Sequence, residues 1–93
     1  MGAGKEEVVK RARADLAVRL GCSEDQIQEE SVEETEFPDM ALGAGVKDEM
    51  SGQMLTSGWR IRLGAAGKHY EYRANQKQLR LYNYKGSNYR IDK

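Results

Sequence analysis

Apolar and charged residues alternate through Trp59-Arg60-Ile61-Arg62-Leu63 and again through Tyr70-Glu71-Tyr72-Arg73, and the small residues Gly64-Ala65-Ala66-Gly67 stand near the junction. Side chains on a strand point to opposite faces in turn, so this pattern predicts a β-hairpin with one apolar and one charged side. With residues 64–67 as the connection, Leu63 is expected opposite Lys68, Ile61 opposite Tyr70 and Trp59 opposite Tyr72. That register gathers Trp59, Ile61, Leu63, Tyr70 and Tyr72 on one face. Arg60, Arg62, His69, Glu71 and Arg73 fall on the other, with Arg60 opposite Glu71. A slip of one residue would turn charged side chains into the core, so the register is expected to be well specified.

Residues 79–84 alternate in the same way. Leu79 and Leu81 are predicted on the core side, Arg80, Tyr82 and Tyr84 on the other, with Tyr72 paired to Leu81. Turns are expected at residues 74–78 and 85–88, and Tyr89-Arg90-Ile91 reads as a short edge strand.

The period changes at the amino terminus. Val9, Ala12, Leu16 and Leu20, flanked by Val8 and Ala17, recur at three- and four-residue steps and predict a helix over residues 5–20. Gly21 supplies the left-handed stop, and Ser23 with Gln26 suits a capping box on a short turn. Ile27, Val32 and Phe37 are spaced by five, which fits a strand with a bulge better than a helix. Phe37-Pro38-Asp39 ends it, because proline lacks a ladder donor and restrains the residue before it. Residues 40–52, MALGAGVKDEMSG, show no periodicity and predict a loop of the length that often carries function or moves.

Assembled, these elements predict an α+β two-layer sandwich, with an N-terminal helix packed on a three- to four-stranded antiparallel sheet. A single domain over residues 1–93 is expected, with residues 1–4 disordered and one sheet face left in water. A chain of 93 residues buries roughly 60–65% of its unfolded surface, enough for one core without staples. The mean hydropathy of -0.81 points to a thin core and a wet surface. No stretch is apolar enough to cross a membrane and none resembles a signal peptide. The chain as given is therefore expected to be cytoplasmic, or the mature part of an exported precursor, and a monomer or weak dimer.

Equal numbers of acids and bases, 15 each, conceal a segregation. Eight acids and no bases lie between Glu24 and Asp39, whereas nine bases and two acids lie between Arg60 and Lys93. Pairing of the two blocks in the fold is the economical expectation, with a bipolar surface as the alternative.

Catalytic chemistry finds little support. His69 is the only histidine and falls on the charged hairpin face without a serine or cysteine placed beside it. Cys22, the only cysteine, excludes an internal disulfide and a CxxC zinc site, and a reactive or interchain thiol is the minor alternative to a small residue at a helix end. The acids Glu29, Glu30, Glu33, Glu34 and Glu36 lack the DxDxDG calcium pattern, and no GK[ST] follows Gly43, Gly45 and Gly52. No enzyme activity, metal or cofactor is expected.

Two surfaces remain. Arg60, Arg62, His69, Arg73, Arg80, Tyr82 and Tyr84 interleave cations with aromatics on an open sheet, as a single-stranded nucleic acid platform requires. The same composition suits any exposed sheet, and the pI of about 6.6 is not that of a nucleic-acid protein. Recognition of another protein by that face, or by Met40, Met50 and Met54 in and beside the loop, is favoured because flexible methionines adapt to partners.

RARADLAVRLG at residues 11–21, FPDMALG at 37–43 and QMLTSGWRIRLGAAGKHYEYR at 53–73 resemble a family of small, largely uncharacterised bacterial domains, frequent in cyanobacteria. The family pattern reads ARxDLAxRLG, then WPDxxLGC, then QxLTPGYRIxLxxxGxxYEYH, and Ala44 stands for its cysteine and Ser57 for its proline. The resemblance implies an α+β domain and brings no catalytic residues. The combined expectation is a non-enzymatic protein-interaction or accessory module in which Phe37, Pro38, Asp39, Leu42 and Gly43 anchor the loop against the hairpin, with nucleic-acid binding as the alternative.

Overall fold

The computed structural model describes residues 4–91. The predicted apolar stripe forms the inner side of α1 (Lys5–Leu20), where Val8, Val9, Ala12, Leu16 and Ala17 are buried. Gly4 is its N-cap, and residues 1–3 of the segment expected to be disordered lie outside the described residues. Gly21 closes the helix at φ 68°, its amide reaching back to the last turn. A short 3-10 turn at Glu24–Gln26 follows, with the Ser23 amide donating to Gln26 Oε1 at 3.2 Å.

Five strands make one antiparallel sheet in sequence order: β1 (Gln28–Phe37), β2 (Thr56–Ala65), β3 (Lys68–Ala74), β4 (Leu79–Tyr84) and β5 (Ser87–Arg90). The count exceeds the expected three to four because β1 pairs along nearly the whole of β2 while β5 pairs with β4. The α+β class holds. β1 carries the expected bulge, between Glu29 and Ser31.

The hairpin turns tighter than expected. Its connection is the two-residue Ala66-Gly67 pair, both at positive φ (53° and 78°), which gives a type I′ twist matched to the strands. Leu63 therefore faces Tyr70, Ile61 faces Tyr72, and Trp59 faces Ala74. Compared with a four-residue connection the register moves by two residues. An even shift keeps every side chain on its face, so the expected sorting into apolar and charged sides survives although the partners change. Tyr72 pairs with Leu81 as expected. Lys85-Gly86 repeats the same turn geometry between β4 and β5 (φ 54° and 86°).

Tyr84 departs from the alternation. Asn83 adopts φ 54° and the β4–β5 register breaks between Leu81 and Tyr84, so the bulge flips Tyr84 to the helix side. There its ring lies 6.0 Å from Tyr70 and 6.0 Å from Tyr89, against the core under α1.

That core joins the α1 stripe to Ile27, Ile61, Leu63, Tyr72, Leu79 and Leu81. Tyr72 spans it: its hydroxyl donates to Asp15 Oδ2 at 2.7 Å, and Arg19 Nε donates to the same oxygen at 2.7 Å. Burial, then the Asp15 hydrogen bond, pushes the Tyr72 phenol well above its ordinary range.

The opposite sheet face is left in water only in part, at residues such as Arg62 and His69. Phe37 on that face is buried, as are Ala41, Leu42 and Ala44 of the loop. The loop thus forms a third layer with its own small apolar contact, where burial of Leu42 or Phe37 contributes roughly 1.5–3 kcal/mol each.

Candidate functional site

The charged face is organised by register. Arg60 lies opposite Arg73, Arg73 opposite Arg80, and Arg80 opposite Arg90, while Glu33 of β1 lies opposite Arg60. A row of four arginines thus crosses β2 to β5. Like charges on directly opposed strand positions repel, so the row requires counter-charge close by.

Three acids supply it. Glu71 Oε2 lies 2.7 Å from Arg73 Nε and 3.3 Å from Arg60 Nε, and Glu71 Oε1 lies 3.9 Å from Arg62 Nε. The expected Arg60–Glu71 pair is therefore a diagonal contact, with Arg62 directly opposite Glu71. Glu33 Oε1 is 3.7 Å from Arg60 Nη1. Glu49, from the loop, receives Arg80 Nη1 and Nη2 at 2.7 and 2.6 Å, with Arg90 at 4.0 Å. The Arg80 hydrogen bonds hold the Glu49 carboxyl at about 2, below the usual carboxylate range. Aromatic faces add to the neutralisation, since the Arg73 guanidinium sits 3.6 Å from the Tyr82 ring centroid and 5.2 Å from that of Phe37.

The loop is held by its own backbone. Residues 40–52 lack strand or helix partners, and an unpartnered carbonyl is costly where water is displaced. Side chains of the sheet and of the turn before β4 meet that need: Arg73 Nη1 donates to the Leu42 carbonyl at 3.1 Å, Arg80 Nη1 to Ala44 at 3.3 Å, Gln78 Nε2 to Met40 at 2.8 Å, and Asn88 Nδ2 to Gly45 at 2.8 Å. Asp39 Oδ1 accepts the amides of Ala41 (3.0 Å) and Gly43 (2.9 Å), and the Met40 amide closes the loop base on the Gly52 carbonyl at 2.9 Å. Gly43, at φ 66°, lies so close that a Cβ there would stand 2.7 Å from Arg73 Nη1.

The sequence-predicted residues accordingly divide. Arg60, Arg73 and Arg80 come together with Tyr82, but Arg80 is 4% exposed, and Arg73 and Arg80 are engaged by the loop. Arg62 remains exposed beside Glu71. His69 stands near the far end of the hairpin, its Nδ1 2.7 Å from Glu30 Oε2. Tyr84 is on the opposite face. Met50 and Met54 are exposed, at 96% and 64%.

Met40 instead borders a cleft of about 660 Å³ that opens where the loop base meets the first half of β2. Glu34 and Glu36 of β1 form one wall, Ser57 and Trp59 of β2 the floor, and residues 75–78 the far wall, with Lys77 among them. Trp59 is on the helix side of the sheet but only half-buried. It packs against the core as the alternation predicts, and nothing in the alternation marks the part of the sheet the helix fails to cover. A second, more polar hollow of about 620 Å³ opens beside Lys68, His69, Tyr84 and Lys85, where the β3–β4 ladder stops at Glu71–Tyr82. Among the described residues no group of three or more His, Cys, Asp or Glu side chains is placed to hold a metal ion. No helix among them is long and apolar enough to cross a membrane.

The family model described as Domain of unknown function (DUF8738) matches residues 9–82, from the second turn of α1 into β4. The chain belongs to that family. The matched span takes in the loop, its arginine anchors and the cleft. No curated protein and no solved structure matches the chain.

Proposed function

We propose that this domain is a non-enzymatic protein-recognition module that receives an apolar side chain of its partner in the cleft between Met40 and Trp59. The cleft carries the reading: it is concave and lined by Trp59 and by Met40, 48% exposed, and Met54 and Leu55, 64% and 71% exposed, directly precede its lining residue Thr56 in the chain. Aromatic and methionine side chains are the residues that interfaces enrich. The arginines that suggested nucleic acid are largely committed to Glu33, Glu49, Glu71 and loop carbonyls, which weakens that alternative.

Trp59 is the only tryptophan, so its fluorescence reports the cleft directly. Peptides selected from a random linear display library against the domain are expected to shift that emission. They should also bind about tenfold more weakly to Met40→Glu, a loss of ~1.4 kcal/mol, and equally well to Val18→Glu on the exposed side of α1. Selected peptides that leave Trp59 unchanged and bind Met40→Glu normally would exclude the cleft as the recognition site.

A further inference from the structure

The cleft opens beside a sheet edge that has no partner. β1 is ten residues long, pairs on one side with β2, and among the described residues pairs with nothing on the other. A free edge presents a row of amide and carbonyl groups on which another strand can build. β5, the opposite edge, has four residues and carries Arg90 within 4.0 Å of Glu49, so it is the poorer template.

Charge selects the occupant of the β1 edge. The strand carries five glutamates and no base. Glu30 and Glu33 already face His69 and Arg60, whereas Glu29, Glu34 and Glu36 have no cation within ion-pair distance among the described residues. Pairing β1 with β1 of a second copy would set acid against acid on adjacent strands, which is destabilising. A strand with basic side chains at alternate positions would relieve the same acids. Lys77 stands across the cleft from Glu34 and Glu36, so an apolar side chain suits the cleft itself and the cations belong along the β1 side.

We infer that the partner is an extended basic peptide segment that adds as a strand to the outer edge of β1 and places an adjoining large apolar side chain in the cleft against Trp59 and Met40. This inference rests on the protein-recognition reading and specifies its partner. Backbone pairing supplies register-tolerant affinity, and the acids of β1 supply the selection against neutral and acidic strands.

The test uses the whole chain and a labelled peptide of about eight residues that alternates lysine with valine and ends in phenylalanine. Three controls accompany it: the glutamate-for-lysine peptide, a peptide N-methylated at alternate residues to remove backbone donors, and the Glu34→Lys/Glu36→Lys double variant. The basic peptide is expected to bind, to shift Trp59 emission and to slow amide exchange across residues 28–37. Its affinity should fall about tenfold between ~50 and ~300 mM salt and about tenfold in the double variant, as exposed ion pairs are screened or reversed. The acidic and N-methylated peptides should not bind. Equal binding of either control peptide, slowed exchange confined to β5 or the loop, or no binding of the basic peptide would each overturn the inference. A concentration-dependent dimer in sedimentation that the double variant abolishes would also overturn it, by assigning the edge to a second copy. Library peptides that shift Trp59 yet are neutral or acidic would leave the cleft as a recognition site while removing the basic strand. Absence of any Trp59-shifting peptide would remove both.

Discussion

Arg80 and Glu49 form a two-pronged ion pair between the fourth strand and the loop, at 2.7 and 2.6 Å, with the arginine 4% exposed. This pair and the neighbouring donation of Arg73 to Leu42 tie the loop to the third and fourth strands, beside the contacts of Gln78 with Met40 and Asn88 with Gly45.

Glu49→Gln should cost about 2–4 kcal/mol, since it leaves a buried guanidinium without its counter-charge. The carboxyl is held at about 2 in the fold, below its ordinary value of 4.5, so its contribution is complete above 4.5 and is lost as pH falls toward 2. Urea midpoints measured from pH 6 down to about pH 2 should therefore converge for the wild type and Glu49→Gln at the acid end. Parallel curves would show that the pair contributes nothing to acid stability.

Asp39→Ala removes the acceptor for two loop amides and is expected to destabilise the fold by about 1–2 kcal/mol, as loss of a helix cap does. Faster amide exchange at Ala41 and Gly43, with little change at Ile61 or Tyr72, is the result that would place the effect in the loop. Gly43→Ala should be worse than Asp39→Ala, because its Cβ meets Arg73 and its φ is 66°.

Tyr72→Phe should cost about 1–2 kcal/mol and lower, without abolishing, the effect of Asp15→Asn in a double-mutant cycle, because Arg19 still donates to Asp15. The phenol is raised in the fold, so the stability it adds is present below about pH 10 and declines above it as the unfolded chain ionises. Thermal melts above pH 10 should accordingly be less steep in pH for Tyr72→Phe than for the wild type.

Ala66→Asn places at φ 53° a residue that tolerates the left-handed region, ahead of Gly67 at φ 78°. The pair becomes the preferred type I′ dipeptide, and the midpoint should rise by the equivalent of about 0.5–1 kcal/mol. A lowered midpoint would show that the turn does not hold that geometry in solution.

Alternation along residues 59–73 determined which side chains face the helix, because the period of two is indifferent to an even shift in register. The stripe from Val8 to Leu20, the stop at Gly21 and the bulge in β1 were legible for the same reason: each is a local rule read over a few residues. Tertiary structure decided what lies across the sheet. Only the two-residue turn aligns Arg60, Arg73, Arg80 and Arg90 into one row, and only the positive φ of Asn83 sends Tyr84 to the helix side. Glu49 gave no signal, since an acid in an aperiodic loop, here beside Asp48, acquires its role from an arginine 31 residues away. The cleft at Trp59 was equally hidden, because side-chain periodicity assigns a face and says nothing of how far the helix extends over it. The sequence by itself determined sidedness; contacts between distant segments determined which charges are paired inside the fold and which, such as Glu29, Glu34 and Glu36 of β1, have no cation within ion-pair distance among the described residues.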